Sequence, residues 1–298
     1  MGLVMVEVRH QYATVRGHRV FYREAGPRDA PALVLLHGFP TSSRMFRHLI
    51  PRLADRFHVI APDHLGFGHS DTPPADTFSY TFDVLTDITE ALLAEIGVDR
   101  YAVYVQDYGA PIAWRLALRA PEAITAVVSQ SGNAYEEGFV PQFWAPLEAY
   151  AEDPGPGTEP AVRSALGLDA IRWQYLHGVD RPELVDPDTW TADHRDISRP
   201  GNDLAQLALF RDYATNRPLY PRLHTYFRES RVPLLAVWGR GTSSSAPTVR
   251  VPSPGTCRRP RSTWWPEAAT SCSRATWTPW SATCGTSWGV RCCDQGRD

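Results

Sequence analysis

Lysine is missing from this 298-residue chain, and all 30 basic residues are arginine. Arginine codons are mostly GC-rich and lysine codons are not, so the gene is expected to be very GC-rich. No apolar run approaches the length of about 18 residues that a membrane-spanning helix needs. The opening stretch, Met1-Gly-Leu-Val-Met-Val-Glu-Val, has neither the basic flank nor the apolar length of a secretory signal. No membrane partner and a cytoplasmic location are therefore expected. A net charge of −3 offers no basic excess for nucleic acid. Cysteine is absent before Cys257 and histidine is absent after His224. Residues 241–298 contain no Leu, Ile, Phe, Tyr, Met or His, although 18 of these 58 residues are Ser or Thr. A segment so poor in aliphatic side chains cannot supply the core face of a helix or strand. The tail does not read as a continuation of what precedes it.

What precedes it is well patterned. Alternation over Val6–Val15 and Val20–Arg23, joined at Arg16-Gly-His, reads as an antiparallel hairpin. Ala32-Leu-Val-Leu-Leu, Phe57-His-Val-Ile-Ala, Tyr101–Val105 and Ile124–Ser129 are short continuous apolar runs, as strands buried on both faces require. Thr41-Ser-Ser is expected to cap a helix running to Leu53. Val84, Leu85, Ile88, Leu92 and Ile96 form the apolar stripe of a helix that ends at Gly97, and Ala110–Ala120 is read as another helix. This alternation predicts a mostly parallel sheet covered by helices on both faces. The expected organisation is a core over 1–133, a helical cap over 134–226, a returning core strand within 227–240, and an irregular tail over 241–298.

Chemistry concentrates where strands end. Val105-Gln-Asp-Tyr-Gly lies between a buried strand and a helix, and small residues around a polar one suit a strained strand-to-helix elbow. Asp107 occupies the nucleophile position; the alternative is that it only caps the helix that follows. His37-Gly-Phe-Pro follows an earlier strand, so the backbone N–H groups of Phe39 and Tyr108 are expected to converge on one oxygen as an oxyanion hole.

His37-Gly-Phe-Pro-Thr-Ser-Ser, Pro62-Asp-His-Leu-Gly-Phe-Gly-His-Ser-Asp and Val105-Gln-Asp-Tyr-Gly-Ala-Pro together resemble the epoxide hydrolases and haloalkane dehalogenases of the α/β-hydrolase superfamily. The similarity runs from about Val15 to Arg240. It implies an α/β-hydrolase fold with a helical cap, and an Asp107 that attacks substrate carbon to form an alkyl ester. A His oriented by a second carboxylate would then activate water. It implies a small-molecule substrate and no metal or organic cofactor; the oligomeric state is not read. Dehalogenases of this kind hold halide with a Trp after the nucleophile and a donor in the first motif, where this chain has Tyr108 and Phe39. Epoxide hydrolases use cap tyrosines as donors to the epoxide oxygen. Phe210-Arg-Asp-Tyr-Ala-Thr-Asn is similar to the segment that carries one, which nominates Tyr213, with Tyr150, Tyr175 and Trp144 as further cap candidates. Epoxide hydrolysis is the favoured expectation, ahead of carbon–halogen hydrolysis, a non-enzymatic binder or a product without function.

The resemblance also implies an acid shortly after the strand at Ala236-Val-Trp-Gly and a His some 30 residues beyond. This chain has neither there: no Asp or Glu follows Arg240 until Glu267. An acid near Asn133 or Glu136 is the alternative. Codon arithmetic accounts for the loss. Joining the third base of each codon to the first two of the next restores Gly-His-Phe and a helical apolar pattern, with the His codon straddling Ala269 and Thr270. A frameshift near Arg240–Thr242 is inferred, which would have removed the final strand and helix. The tail's seven Arg against three acids are what shifted GC-rich codons produce, so no nucleic-acid arm is read. Its five cysteines contain no C-x-x-C pair and no nearby His, so no zinc site is expected.

Overall fold

A computed structural model describes residues 6–238 and 290–293 of the chain. Eight strands form one sheet: β1 Val8–Val15, β2 His18–Ala25, β3 Ala32–Leu36, β4 His58–Pro62, β5 Tyr101–Gln106, β6 Ile124–Gln130, β7 Leu234–Val237 and β8 Val290–Cys293. Their order is β1-β2-β4-β3-β5-β6-β7-β8. The hairpin β1–β2 turns on Arg16 and Gly17, both with positive φ, which matches the twist of the strands it joins. β2 lies antiparallel to β4, and β4, β3, β5, β6 and β7 run parallel. Alternating side chains of β3 feed two packed layers: Leu33 and Leu35 meet Phe46 and Ile50 on one face, while Val34 and Leu36 join the larger core on the other.

Three helices belong to this part of the chain: α1 Ile50–Leu53, α2 Phe82–Glu95 and α3 Gly109–Arg119. Thr81 caps α2 by accepting from Val84 N–H, and Gly97 at φ 73° ends it, with Val98 N–H bonded to Leu93 O. The single helix expected from Thr41 to Leu53 is instead a 3₁₀ turn at Ser43–Phe46 followed by the short α1. Pro51, near the start of α1, has no N–H to bond back into the preceding turn, so the two pieces cannot merge.

Between β6 and β7 the chain makes no strand. It forms α4 Pro141–Glu152, α5 Glu159–Arg163, α6 Leu168–Leu176, α7 Asp188–Ile197, α8 Asn202–Asp212 and α9 Tyr220–Glu229, with a 3₁₀ segment at Tyr213–Leu219. The tail, which the sequence predicts to be irregular, contributes one short strand to the described residues. Val290–Cys293 is a strand antiparallel to β7. Without it β7 would expose a row of unpaired backbone groups, which readily accept another strand. The remaining expectations for 241–298 lie outside the described residues. Among the described residues no helix is long and apolar enough to cross a membrane.

Candidate active site

β3 is flanked by β4 on one side and β5 on the other, so the strand order reverses there. A crevice opens at the carboxyl ends of strands at such a point. Both chemical motifs sit in it. Asp107 turns the chain from β5 into α3 at φ 49°, a left-handed conformation that costs a non-glycine residue roughly 1–2 kcal/mol. Two glycines leave room for that turn. A Cβ on Gly109 would stand 2.2 Å from the carbonyl oxygen of Leu36, and one on Gly38 would stand 2.3 Å from Asp107 Cβ. With those positions bare, the loop after β3 closes on the elbow, and Phe39 N–H donates to Asp107 Oδ1 at 2.8 Å. The N-cap of α3 is Tyr108, one residue past Asp107, and the Asp107 carbonyl accepts from Ala110 N–H at 2.9 Å.

Two buried histidines set the loop. His64 N–H donates to His37 Nε2 at 3.0 Å, and His64 Nε2 meets the His37 carbonyl at the same distance. Burial, followed by the neighbouring His37, holds the His64 imidazole well below its ordinary range, so it is neutral. These contacts pin the Phe39 loop to the segment after β4.

A cavity of about 200 Å³ opens over Asp107. Its walls are mainly apolar and come from the helices between β6 and β7: Phe143, Trp144 and Leu147 of α4, Val162 of α5, Trp173 of α6 and Phe210 of α8. Phe39, Tyr108 and Tyr213 line it too. The Tyr213 ring packs 4.7 Å from that of Trp144. Burial first, then Tyr220, Asp107 and Tyr108, push the Tyr213 phenol well above its ordinary pKa. The Tyr108 phenol is likewise raised, by burial and then by Asp107 and Asp212.

The cavity therefore gathers Asp107, Phe39, Tyr108, Tyr213 and Trp144, but not the other two cap candidates. Tyr150 lines a separate groove with Phe78, Tyr80 and Arg211. Six residues along α4 from Trp144 is a rotation of roughly 240°, which turns Tyr150 to the other side. Tyr175 is buried and donates to Asp193, which also accepts from Thr41 Oγ1 at 3.2 Å. The cavity side of α6 is given by Trp173 and Gln174 instead. Gln106, Ser131, Trp173 and Gln174 line the site without having been read from the sequence. The available signal was position alone, since Gln106 and Ser131 stand at carboxyl ends of β5 and β6.

No imidazole lines this cavity among the described residues. His224 bonds the Ala134 carbonyl at 2.8 Å and stacks on Tyr135. Glu136, one alternative for the triad acid, is held at the surface by Arg217, while Asn133 lines the cavity as an amide. The acid position after β7 and the Ala269–Thr270 step lie outside the described residues.

The sequence profile of the alpha/beta hydrolase fold matches residues 31–262, which runs past Arg240, where the motif resemblance ended. An uncharacterised hydrolase of Saccharomyces cerevisiae is 43% identical over 238 residues, covering 77% of this chain and 80% of that protein. A haloalkane dehalogenase of Bradyrhizobium diazoefficiens is 36% identical over 119 residues, 40% of this chain and 37% of its own length. Epoxide hydrolase A of Mycobacterium tuberculosis is 36% identical over 138 residues, 46% and 42% of the two chains. Among solved structures, a haloalkane dehalogenase from Bradyrhizobium elkani superimposes with a TM-score of 0.66 at 25% identity, over 79% of this chain and 82% of its own. Epoxide hydrolase A from Mycobacterium thermoresistibile gives 0.60 at 23% identity, over 80% and 84%, a likeness of fold.

Proposed function

This chain belongs to the α/β-hydrolase fold family, and from that premise we propose that Asp107 opens small, largely apolar epoxides by attack at carbon. The observation that carries the reading is Asp107 itself: a strained elbow carboxylate, with Oδ1 held by Phe39 N–H, facing a mainly apolar cavity that also presents the Tyr213 phenol. A carboxylate oxygen attacks a ring carbon, the carbon–oxygen bond breaks, and its electron pair goes to oxygen. Tyr213 supplies a proton to that oxygen and recovers one from solvent. The product is a hydroxyalkyl ester on Asp107.

Hydrolysis of the ester requires water to attack its carbonyl, where Phe39 and Tyr108 N–H groups would steady the developing anion. General-base help for that water is typically worth about 10²–10⁴-fold. With no His after His224, the chain as it stands is expected to stop at the ester. We infer a frame change near Arg240–Thr242, whose reversal returns a His codon across Ala269 and Thr270. Resequencing codons 238–245 tests the frame. Incubating the 298-residue protein with styrene oxide and weighing it intact tests the chemistry. One epoxide mass added to wild type and none to Asp107→Asn is expected, whereas many turnovers without an adduct would reject the reading.

Carbon–halogen hydrolysis is the second reading. The indoles of Trp144 and Trp173 in the cavity wall and the dehalogenase relatives support it. Phe39 and Tyr108 at the positions of the expected halide donors count against it.

A further inference from the structure

Arg115 stands about two turns along α3 from the elbow and is only 4% exposed. A guanidinium buried so deeply is costly unless its N–H groups are bonded. Here the bonds run to three separate parts of the chain. Nε donates to Asp83 Oδ1 at 2.8 Å, in the first turn of α2. Nη1 donates to the Pro111 carbonyl at 3.2 Å, within α3 itself, and to Asn216 Oδ1 at 2.6 Å. Nη2 donates to Thr215 Oγ1 at 3.0 Å. Thr215 and Asn216 belong to the 3₁₀ segment that opens with Tyr213. Just before it, Asp212 Oδ2 accepts from Phe82 N–H at 2.7 Å, at the start of α2. The turn carrying Tyr213 is therefore held at both ends, by α2 before the phenol and by Arg115 after it. Phe82 packs between them, its ring 5.6 Å from that of Tyr213, 5.0 Å from that of Tyr108 and 5.7 Å from the Arg115 guanidinium carbon.

Asn216 is committed to this contact. It is 2% exposed, and its amide nitrogen is buried with no partner among the described residues. A guanidinium only donates, so the oxygen end of the amide is the one that faces Arg115. Apolar side chains would fill the same space without desolvating a charge, which argues for placement over stability. We propose that Arg115 is a positioning residue: by gripping Thr215 and Asn216 it holds the Tyr213 phenol in the cavity that Asp107 faces, and so favours electrophiles whose leaving oxygen must gain a proton. This rests on the assignment of Asp107 and Tyr213 above.

The test uses the full chain with Arg115→Lys, Asn216→Ala or Asn216→Asp, each alone and combined with Tyr213→Phe. Adduct formation on Asp107 is timed by intact mass with styrene oxide and with bromobutane, which releases bromide without taking up a proton. Lysine keeps the charge but loses the fork that reaches Thr215 and Asn216 together. Arg115→Lys and Asn216→Ala should each slow the epoxide reaction roughly ten-fold, the order of a lost charge-assisted bond, and change any bromobutane rate far less. Asn216→Asp keeps an acceptor for Arg115 and gives up only the unpartnered nitrogen, so it should stay near wild type. With Tyr213→Phe present, none of the three should slow the epoxide reaction further, because a residue acting through the phenol has nothing left to place. A merely structural role predicts equal losses with both reagents, and the same losses with or without the phenol. Either result would overturn the proposal, as would Asn216→Asp being as slow as Asn216→Ala. Should Arg115→Lys fail to fold, the two Asn216 variants make the same comparison. Hydrogen exchange of the backbone amides of 212–219 reads the grip without any reaction, and should quicken in Arg115→Lys and Asn216→Ala but not in Asn216→Asp. If wild type forms no adduct, or Tyr213→Phe reacts like wild type, it is the Asp107 or Tyr213 assignment that fails. Exchange then decides the grip alone: unchanged in Asn216→Ala overturns it, faster upholds it.

Discussion

Single side chains in this protein act through what their neighbours leave them free to do. Asp107 is the plainest case, because its carboxylate accepts from Phe39 N–H across the elbow. Replacing it with Asn keeps the shape and removes the charge; adduct formation should fall to background by mass spectrometry while the melting temperature stays within a few degrees. Tyr213→Phe should slow adduct formation on an epoxide by about 10²–10⁴-fold, the usual worth of a placed proton donor, read from the same time course. Glu24 is a structural counterpart far from the cavity. It is buried at 1% exposure and accepts from His58 at 2.7 Å and Arg28 at 3.0 Å. Burial by itself raises its pKa, but the bonds from His58 and Arg28 and the charges of Arg28 and Arg9 outweigh it, so the carboxyl lies below its ordinary 4.5. A depressed carboxyl stabilises the fold above the unfolded-state value and loses that contribution as pH falls through the folded one. Wild type should therefore lose melting temperature below about pH 4.5 more steeply than Glu24→Gln. Parallel acid limbs for the two proteins would contradict this.

At the scale of elements, close approach of backbones is what assembles the site. The loop after β3 and the start of α3 touch through Gly38 and Gly109, and a methyl on Gly109 would meet the Leu36 carbonyl at 2.2 Å. Gly109→Ala should cost about 1–3 kcal/mol, as overpacking usually does, and should slow adduct formation by separating Phe39 N–H from Asp107. A shift in the urea midpoint without any change in reactivity would show that the elbow does not depend on this contact. Much of this level was legible in the sequence, because its signals are local. Apolar runs named β3, β5 and β6, and Gly97 named the end of α2. The cap was legible only as a set of helices. A pattern of aromatic residues does not reveal which side of a short helix meets the sheet, so Trp144 and Tyr150 looked equivalent on α4 although only Trp144 reaches the cavity. Asn133 was visible only as a place where an acid could have stood. It shares the cavity wall with Tyr213, 80 positions away in the chain, and no periodicity encodes such a pairing.

The whole molecule turns on the side of the sheet where β7 and β8 lie. β3 and β4 are buried almost throughout, as strands of a doubly covered parallel sheet should be. Leu234, Leu235, Ala236 and Val237 of β7 are all only half-buried, although the strand has neighbours on both sides. An interior strand with apolar side chains at every position is built to be covered, and the reading frame proposed above would encode apolar residues at helical spacing to cover it. Finishing the burial of three large side chains is worth on the order of 1 kcal/mol each. That is a substantial share of the roughly 5–15 kcal/mol by which native domains are stable. Partly covered strands near a sheet edge also invite association with other chains. Correcting the frame at codons 240–242 should therefore raise the melting temperature, reduce light scattering on heating, and convert the single adduct into repeated turnover. The 298-residue chain and its frame-corrected form can be compared side by side by calorimetry and size-exclusion chromatography. If the uncorrected chain is monomeric and melts cooperatively at the same temperature as the corrected one, the half-buried β7 carries no deficit and needs no covering helix from another frame.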